Sequence, residues 1–414
     1  MSKLSLSKDK IQILLLEGIH PNAVAELRAS GYASVDRLPH ALDEQELIAR
    51  IAQVQIIGIR SRTQLTARVL EAAPRLFCVG CFSIGTNQVD LLEARRRGVP
   101  VFNAPYSNTR SVAELIIGEI VMLMRGIFEK SQIVHRGGWV KSAKDSYEVR
   151  GKTLGIVGYG HIGSQVSILA EALGMRVRFY DIVKKLALGN AQPAATLGEL
   201  LTQSDVVTLH VPETEQTRNM IGPSELGAMK AGSYLINASR GTVVDLEALA
   251  RALEQRHLLG AAIDVFPVEP GSEREELHSP LRGMPNVILT PHIGGSTSEA
   301  QANIGVEVAQ KLIEYSDNGS TLGAVNFPQV ALPLHRGCMR FLHVHHNTPG
   351  ILQRIDQVFS SRGLNIAAQY LQTDADLGYV VADVEGEIDD AAVLPELRGI
   401  EGTLRVRHLF PAAH

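Results

Sequence analysis

The chain has 414 residues, enough for two to three domains. Apolar residues make up 45% and charged residues 20%, which provides for a sizeable core and excludes wholesale disorder. Forty Lys and Arg against 44 Asp and Glu leave a net charge of −4, so the surface as a whole is not built to hold nucleic acid.

The N-terminal stretch carries lysines, but the apolar run after it, Ile11–Leu16, is short and interrupted by Gln12, unlike a signal peptide. The most apolar helix candidate, Leu115–Met124, contains Glu119 and falls short of a bilayer span. These features predict a soluble, cytoplasmic protein without a membrane partner. Only three cysteines occur, Cys78, Cys81 and Cys338, which fits a reducing compartment and provides no disulfide framework. Cys78-x-x-Cys81 lacks the second pair that a zinc site needs and reads as two small apolar residues at a strand end.

In the first hundred residues, strand candidates are Ile11–Leu16, Val54–Ile59, Leu76–Gly80 and Val99–Asn103. A helix over Ser111–Met124 follows, with Ser111 as N-cap and Glu114 completing a capping box, and joins this α/β region to the next. From about 151 to 295 apolar, β-branched runs recur at Leu154–Val157, Arg176–Tyr180, Val206–His210, Ser233–Asn237, Ala261–Val265 and Val287–Thr290. Their starts lie 22 to 30 residues apart, with helices such as Gly163–Leu173 and Asp245–Gln255 between them. Continuous apolar strands alternating with helices predict a doubly wound parallel sheet of six strands. A helical stretch runs from Thr297 to about Tyr315, and the polar, glycine-bearing segment Ser316–Gly323 follows. From about Gly337 the pattern becomes strand Phe341–His345, helix Gly350–Arg362, strand Asn365–Gln372, strand Tyr379–Glu385, helix Ala391–Gly399 and strand Thr403–Leu409. That order is the ferredoxin-like split βαββαβ unit.

Gly158-Tyr159-Gly160-His161-Ile162-Gly163 matches G-x-G-x-x-G between an apolar strand and a helix, where a dinucleotide diphosphate meets the helix N-terminus. Eighteen residues after Gly163, Asp181 ends the next strand. A carboxylate there accepts from ribose hydroxyls and repels a 2′-phosphate, so NAD rather than NADP is expected. Polar residues cluster at the later strand ends: Asn237-Ala238-Ser239-Arg240-Gly241, Asp264, Glu269, and His292 between Pro291 and Gly294-Gly295. An arginine that holds a substrate carboxylate, a histidine that moves a proton and an acid that orients it suit hydride transfer at a 2-hydroxy acid. Arg60-Ser61-Arg62, after Val54–Ile59, offers a fork-like anion site. Among His343, His345 and His346, alternation puts the first two on one face, and no metal is expected.

On Gly158–Gly163, Asp181, the stretch Met229 to Gly241, Asp264, Glu269 and Pro291-His292, the chain resembles the D-isomer-specific 2-hydroxyacid dehydrogenases over nearly all of residues 10–320. The resemblance implies a Rossmann nucleotide domain at 108–294 inserted in an α/β substrate domain of 1–107 and 295–326, with 337–414 similar to an ACT regulatory domain. It implies the catalytic trio Arg240, Glu269 and His292, with Ala238, Ser239, Asp264, Gly294 and Gly295 around the nicotinamide half of NAD. It places Arg60 and Asn108 with Ser61 and Arg62 on the substrate, and Trp139 and Lys141 at a subunit contact. Glu269 speaks against formate as substrate, since the similar formate dehydrogenases carry glutamine there. Within the family the chain is similar to the amino-acid-regulated members that oxidise D-3-phosphoglycerate. This implies a homotetramer in which His345, Asn347 and Asn365 bind L-serine across an ACT–ACT interface, although His346 stands where that motif usually has an acid. The competing expectations are a glyoxylate or hydroxypyruvate reductase and, from another class, a dinucleotide-sensing corepressor scaffold.

Overall fold

The computed structural model describes residues 7–271, 274–335, 337–386 and 388–410. The first six residues of the lysine-bearing N-terminus and the last four of the C-terminal domain lie outside them. The chain divides into two compact units, Met1–Ser107 with Gln301–His414, and Asn108–Ala300.

The first unit opens with β1 (Ile13–Leu15), α1 (Pro21–Ala29), β2 (Val35–Arg37), α2 (Glu44–Ile51), β3 (Ile56–Ile59), α3 (Ala67–Glu71), β4 (Cys78–Cys81), α4 (Leu91–Arg96) and β5 (Val101–Phe102). The strands form a parallel sheet in the order β2-β1-β3-β4-β5, the flavodoxin-like arrangement, whose order reverses between β1 and β3. Strands β1, β3 and β4 are buried at every position, as a sheet covered on both faces requires. Strand β2 was not legible in the sequence because Val-Asp-Arg is polar and lies at the sheet edge. Cys78 and Cys81 are buried in β4, and burial pushes both thiols up to about 12, so they are inert packing groups.

The second unit runs through α5 (Thr109–Arg125), α6 (Ile127–His135), β6 (Thr153–Val157), α7 (His161–Ala172), β7 (Arg176–Tyr180), β8 (Gln192–Pro193), α8 (Leu197–Gln203), β9 (Val206–Leu209), α9 (Pro223–Ala228), β10 (Ser233–Asn237), α10 (Leu246–Glu254), β11 (Leu258–Ile263) and β12 (Val287–Leu289). Its sheet is parallel, in the order β12-β11-β10-β9-β6-β7-β8. Seven strands replace the six expected. The extra one, β8, is a two-residue exposed edge that contains a proline and shows no apolar run. The helix expected over Ser111–Met124 begins at Thr109 with Asn108 as N-cap and no side-chain cap bond. Ser111 is therefore not the cap; its hydroxyl meets that of Thr297 at 2.7 Å, and Glu114 pairs with Arg110. Nor is this helix a free connector, because its Ile116, Ile120 and Leu123 lie in the apolar cluster that covers β6, β7 and β10.

Helix α11 (Ser298–Asn318) leads to β13 (Met339–His346), α12 (Ile351–Ser360), β14 (Asn365–Thr373), β15 (Leu377–Glu385), α13 (Asp390–Gly399) and β16 (Thr403–Leu409). These strands form an antiparallel sheet ordered β14-β15-β13-β16, the expected split βαββαβ unit. It shares a core with the first sheet: one apolar cluster runs from Leu15 and Ile56 through Val308, Leu312 and Tyr315 to Leu342 and Tyr379. Arg340, wholly buried, ties the link. Its guanidinium grips both Asp383 oxygens at 2.6 and 2.7 Å and donates to the Asn318 and Pro333 carbonyls.

Candidate active site

Ligands of open α/β sheets bind at the carboxyl ends of the strands, where strand order reverses. In the seven-stranded sheet that point lies between β6 and β9, and the Gly158–Gly163 loop connects β6 to α7 there. Gly158 has φ +90°, and a Cβ on it would stand 2.3 Å from the His210 carbonyl oxygen after β9, so only glycine fits. A Cβ on Gly163 would come equally close, 2.3 Å, to the Gly158 carbonyl oxygen, because α7 presses on the turn. At Gly160 a Cβ would meet nothing within 4 Å. Open space thus faces the N-terminal turn formed by His161 and Ile162, which Gly160 caps without a side chain. That concavity at a helix N-terminus fits the diphosphate of a dinucleotide. Asp181, after β7, accepts from the Tyr159 N–H and the Val183 N–H, both at 2.9 Å.

The loop after β10 is ordered by Asn237. Its Oδ1 accepts from the Ser239 N–H and hydroxyl at 3.1 and 2.8 Å, and its amide donates to the Arg240 carbonyl at 3.0 Å. Ala238 is half-buried in this loop. The Arg240 guanidinium donates to the Ser239 carbonyl at 2.6 Å and, among the described residues, pairs with no carboxylate, which leaves it for an anionic ligand.

Asp264, after β11 and 1% exposed, fixes the loop after β12. Its Oδ1 accepts from the Thr290 hydroxyl at 2.6 Å and the Ile293 N–H at 2.8 Å, and its Oδ2 from the Gly294 N–H at 2.8 Å. Its main-chain carbonyl accepts from the His292 N–H at 2.8 Å. Those four bonds hold His292 at φ +54°, a left-handed conformation that costs a non-glycine residue about 1–3 kcal/mol. The imidazole Nδ1 then lies 3.0 Å from Glu269 Oε2, and Nε2 is left for a ligand. The hydrogen bond and charge of Glu269 hold the His292 ring above the usual imidazole range, against the opposing effect of burial. Burial pushes Glu269 up, but the bond and charge of His292, the Phe266 N–H and the charge of Arg240 outweigh it and leave the carboxyl below its ordinary range. Gly295 lies against Asn108, where a Cβ would stand 2.4 Å from Nδ2; Asn108 is buried, and its Oδ1 has no hydrogen-bond partner among the described residues.

The structure thus brings Arg240, Glu269, His292, Asp264, Gly294, Gly295 and Asn108 to one unit, at the strand ends that also carry the glycine loop. Arg60, Ser61 and Arg62 belong to the other unit, on the loop after β3 at its own reversal point. The residue that shapes that loop is Glu17, after β1, which sequence reading missed. Its carboxylate accepts from the N–H groups of Arg60, Arg62 and Thr63 at 3.0, 2.9 and 2.9 Å, and its own φ is +60°. Glu17-Gly18 at the end of a buried strand was the available signal. Glu119 in α5, which the sequence marks only as an acid inside an apolar helix, is 1% exposed, and among the described residues neither of its oxygens has a hydrogen-bond partner. Burial, helped by the charge of Asp264, pushes it up to about 8, favouring the neutral acid.

In the C-terminal domain His345 is 1% exposed and its Nδ1 lies 3.2 Å from that of His343, in line with the shared face expected. Burial lowers both rings, His343 to about 4. Asn347 is exposed beside them and donates to the Asp374 carbonyl. Asn365, which donates to Glu385, is not with them. His345 pairs with Gly378 at one end of β15 and Asn365 with Glu385 at the other, about 23 Å apart at roughly 3.3 Å per residue. Trp139 is 83% exposed with Val140 and Lys141 beside it, so it is not a core residue.

Residues 117–294 match the NAD-binding domain of the D-isomer-specific 2-hydroxyacid dehydrogenases, and 341–405 an ACT domain of the type seen in acetohydroxyacid synthase small subunits. A D-3-phosphoglycerate dehydrogenase of Haemophilus influenzae is 59% identical over 99% of this chain and 100% of its own length. The chain belongs to the D-isomer-specific 2-hydroxyacid dehydrogenase family. A D-3-phosphoglycerate dehydrogenase of Escherichia coli is 58% identical over 99% and 100% of the two chains. The D-lactate dehydrogenase of Aquifex aeolicus, solved with NAD and lactic acid, is 29% identical with TM-score 0.65, covering 73% of this chain and 95% of its own. The second unit is thus the NAD-binding domain of a hydroxyacid dehydrogenase, and no helix among the described residues is long and apolar enough to cross a membrane.

Since Glu17 holds three backbone amides, Glu17→Ala should raise hydrogen-exchange rates at Arg60, Arg62 and Thr63 at least about tenfold, the equivalent of roughly 1.4 kcal/mol. Unchanged exchange at those amides would show that the loop is held by something else.

Proposed function

We propose that this dehydrogenase oxidises D-3-phosphoglycerate to 3-phosphohydroxypyruvate with NAD, the entry to L-serine synthesis, and that L-serine restrains it through the ACT domain. The observation that carries the reading is the His292–Glu269 pair together with Arg240, which pairs with no carboxylate among the described residues. Full-length similarity to two D-3-phosphoglycerate dehydrogenases supports the choice of substrate.

NAD supplies a hydride acceptor. Arg240 holds the substrate carboxylate and polarises the oxygen at C2. His292 Nε2 takes the proton from the C2 hydroxyl as the carbonyl forms, and Glu269 stabilises the imidazolium that results. In reduction the same nitrogen returns the proton. Gly158, Gly160, His161, Ile162 and Gly163 cradle the diphosphate, and Asp181 accepts from the ribose hydroxyls and repels a 2′-phosphate, which selects NAD. Ala238, Ser239, Asp264, Gly294 and Gly295 surround the nicotinamide half. Arg60 and Arg62 bind the substrate phosphate, with Ser61 and Asn108 as further substrate ligands; the unpartnered Asn108 Oδ1 supports that role.

The enzyme assembles as a homotetramer in this reading. The exposed Trp139, with Val134 and Val140 nearby, supports one contact. The other pairs the free edge strand β14 with its copy. Because Asn365 lies at the opposite end of the sheet from His345 and Asn347, a serine held by all three needs two chains related by a two-fold axis.

Absorbance of NADH decides the main claim. D-3-phosphoglycerate with NAD should give turnover that L-serine lowers, and NADP should support little. Arg62→Ala should raise KM for D-3-phosphoglycerate about tenfold or more, with little effect on D-glycerate. No turnover of D-3-phosphoglycerate, or equal losses on both substrates, would contradict the assignment. Glu269→Gln removes the group that raises the His292 ring. The rising acid limb of the oxidation rate should therefore move to lower pH, with kcat reduced about 10²-fold or more. An unmoved limb would remove Glu269 from this role.

A further inference from the structure

Between the segment that enters β4 and the C-terminal strand β16 lies a cavity of about 360 Å³, walled by Arg75, Phe77, Arg398, Leu404, Arg405 and Arg407. Four arginines line this space. Arg405 is fixed by donating to the carbonyls of Leu76 and Arg97, and Arg407 lies over the Phe77 ring, 3.8 Å from its centroid. Among the described residues none of the four pairs with a carboxylate. The neighbouring arginines do: Arg95 pairs with Asp374, Arg97 with Glu93 and Arg340 with Asp383. Arg407 Nη1 is buried without a hydrogen-bond partner. Burial, with the charges of Arg407 and Arg97 adding to it, holds the Arg405 guanidinium below its usual range.

Like charges gathered in a partly desolvated space are costly unless an anion joins them. The forked donors suit the paired oxygens of phosphate and carboxylate, and the volume falls within the range of small-molecule sites, about 300–1,000 Å³. We propose that this cavity binds a small multivalent anion, a phosphate or a polycarboxylate, at the junction of the ACT domain with the first sheet. One wall is the sheet domain's Arg75–Phe77 and the other the ACT domain's α13 and β16. A bound anion therefore bridges the two and favours the docked arrangement over any in which they part. Arg75–Phe77 enter β4 at its amino end, whereas Arg60–Arg62 leave the parallel strand β3 at its carboxyl end, so the cavity is separate from that loop and stands whatever the substrate proves to be.

Calorimetry on the full chain tests it, with inorganic phosphate and citrate as separate probes and acetate as a monovalent control. Arg62→Ala identifies any heat that arises at the other proposed phosphate ligand. At least one of phosphate and citrate should show a binding event that Arg62→Ala retains, that acetate lacks and that weakens with salt. Arg75 and Arg398 are exposed, so the double variant Arg75→Ala/Arg398→Ala keeps the buried packing and should raise Kd at least about tenfold. If phosphate alone binds, the site takes phosphate groups; if citrate alone, it takes polycarboxylates. Hydrogen exchange in β16 should slow when the binding probe is added to the wild-type chain. Binding unaffected by the double variant, or no event with either multivalent probe at millimolar concentration, would overturn the proposal.

Discussion

A buried carboxylate at the end of one strand, gathering backbone N–H groups from the loop after the neighbouring strand, is the interaction on which this molecule depends. Asp264 is the central case. Its side chain accepts from Thr290, Ile293 and Gly294, and its carbonyl from the His292 N–H. Those bonds impose the positive φ that turns the imidazole toward Glu269. Removing them would return His292 to an ordinary backbone conformation and carry the ring away.

Half-buried carboxylates repeat the device twice more. Asp181 after β7 binds the Tyr159 N–H in the loop after the adjacent β6. Glu17 after β1 binds three N–H groups in the loop after the adjacent β3. In a parallel sheet the carboxyl ends of neighbouring strands lie about 4.8 Å apart, within reach of one acidic side chain. Each carboxylate accepts from amides that would otherwise lie unpaired beside a ligand crevice. Loops that must present an arginine, a histidine or a bare glycine turn are thereby fixed without bulk of their own.

Most of the parallel strands were legible in the sequence because their apolar runs are buried on both faces; Ser233–Asn237 matches the structure residue for residue, as do the half-buried Arg176–Tyr180 and the antiparallel Thr403–Leu409. It showed the glycine loop and the trio because those residue types at strand ends have few other uses. Edge strands β2 and β8 escaped notice, since exposure removes the apolar signal. Glu17 escaped because its partners are backbone amides, which leave no complementary side chain in the sequence, and only Gly18 after it marks the turn. The separation of Asn365 from His345 followed only from the strand pairing, which residue order alone does not reveal.

Catalysis depends most directly on Asp264 setting the position of His292. The direct measurement is kcat of Asp264→Asn at saturating NAD and D-3-phosphoglycerate, with thermal unfolding as a check on the fold. Asparagine keeps the volume but offers one acceptor oxygen and a competing donor where the loop presents two N–H groups and a hydroxyl. A loss of about 10²–10⁴-fold, comparable to that of His292→Ala, is the expected result. A kcat within a few-fold of wild type would contradict the account.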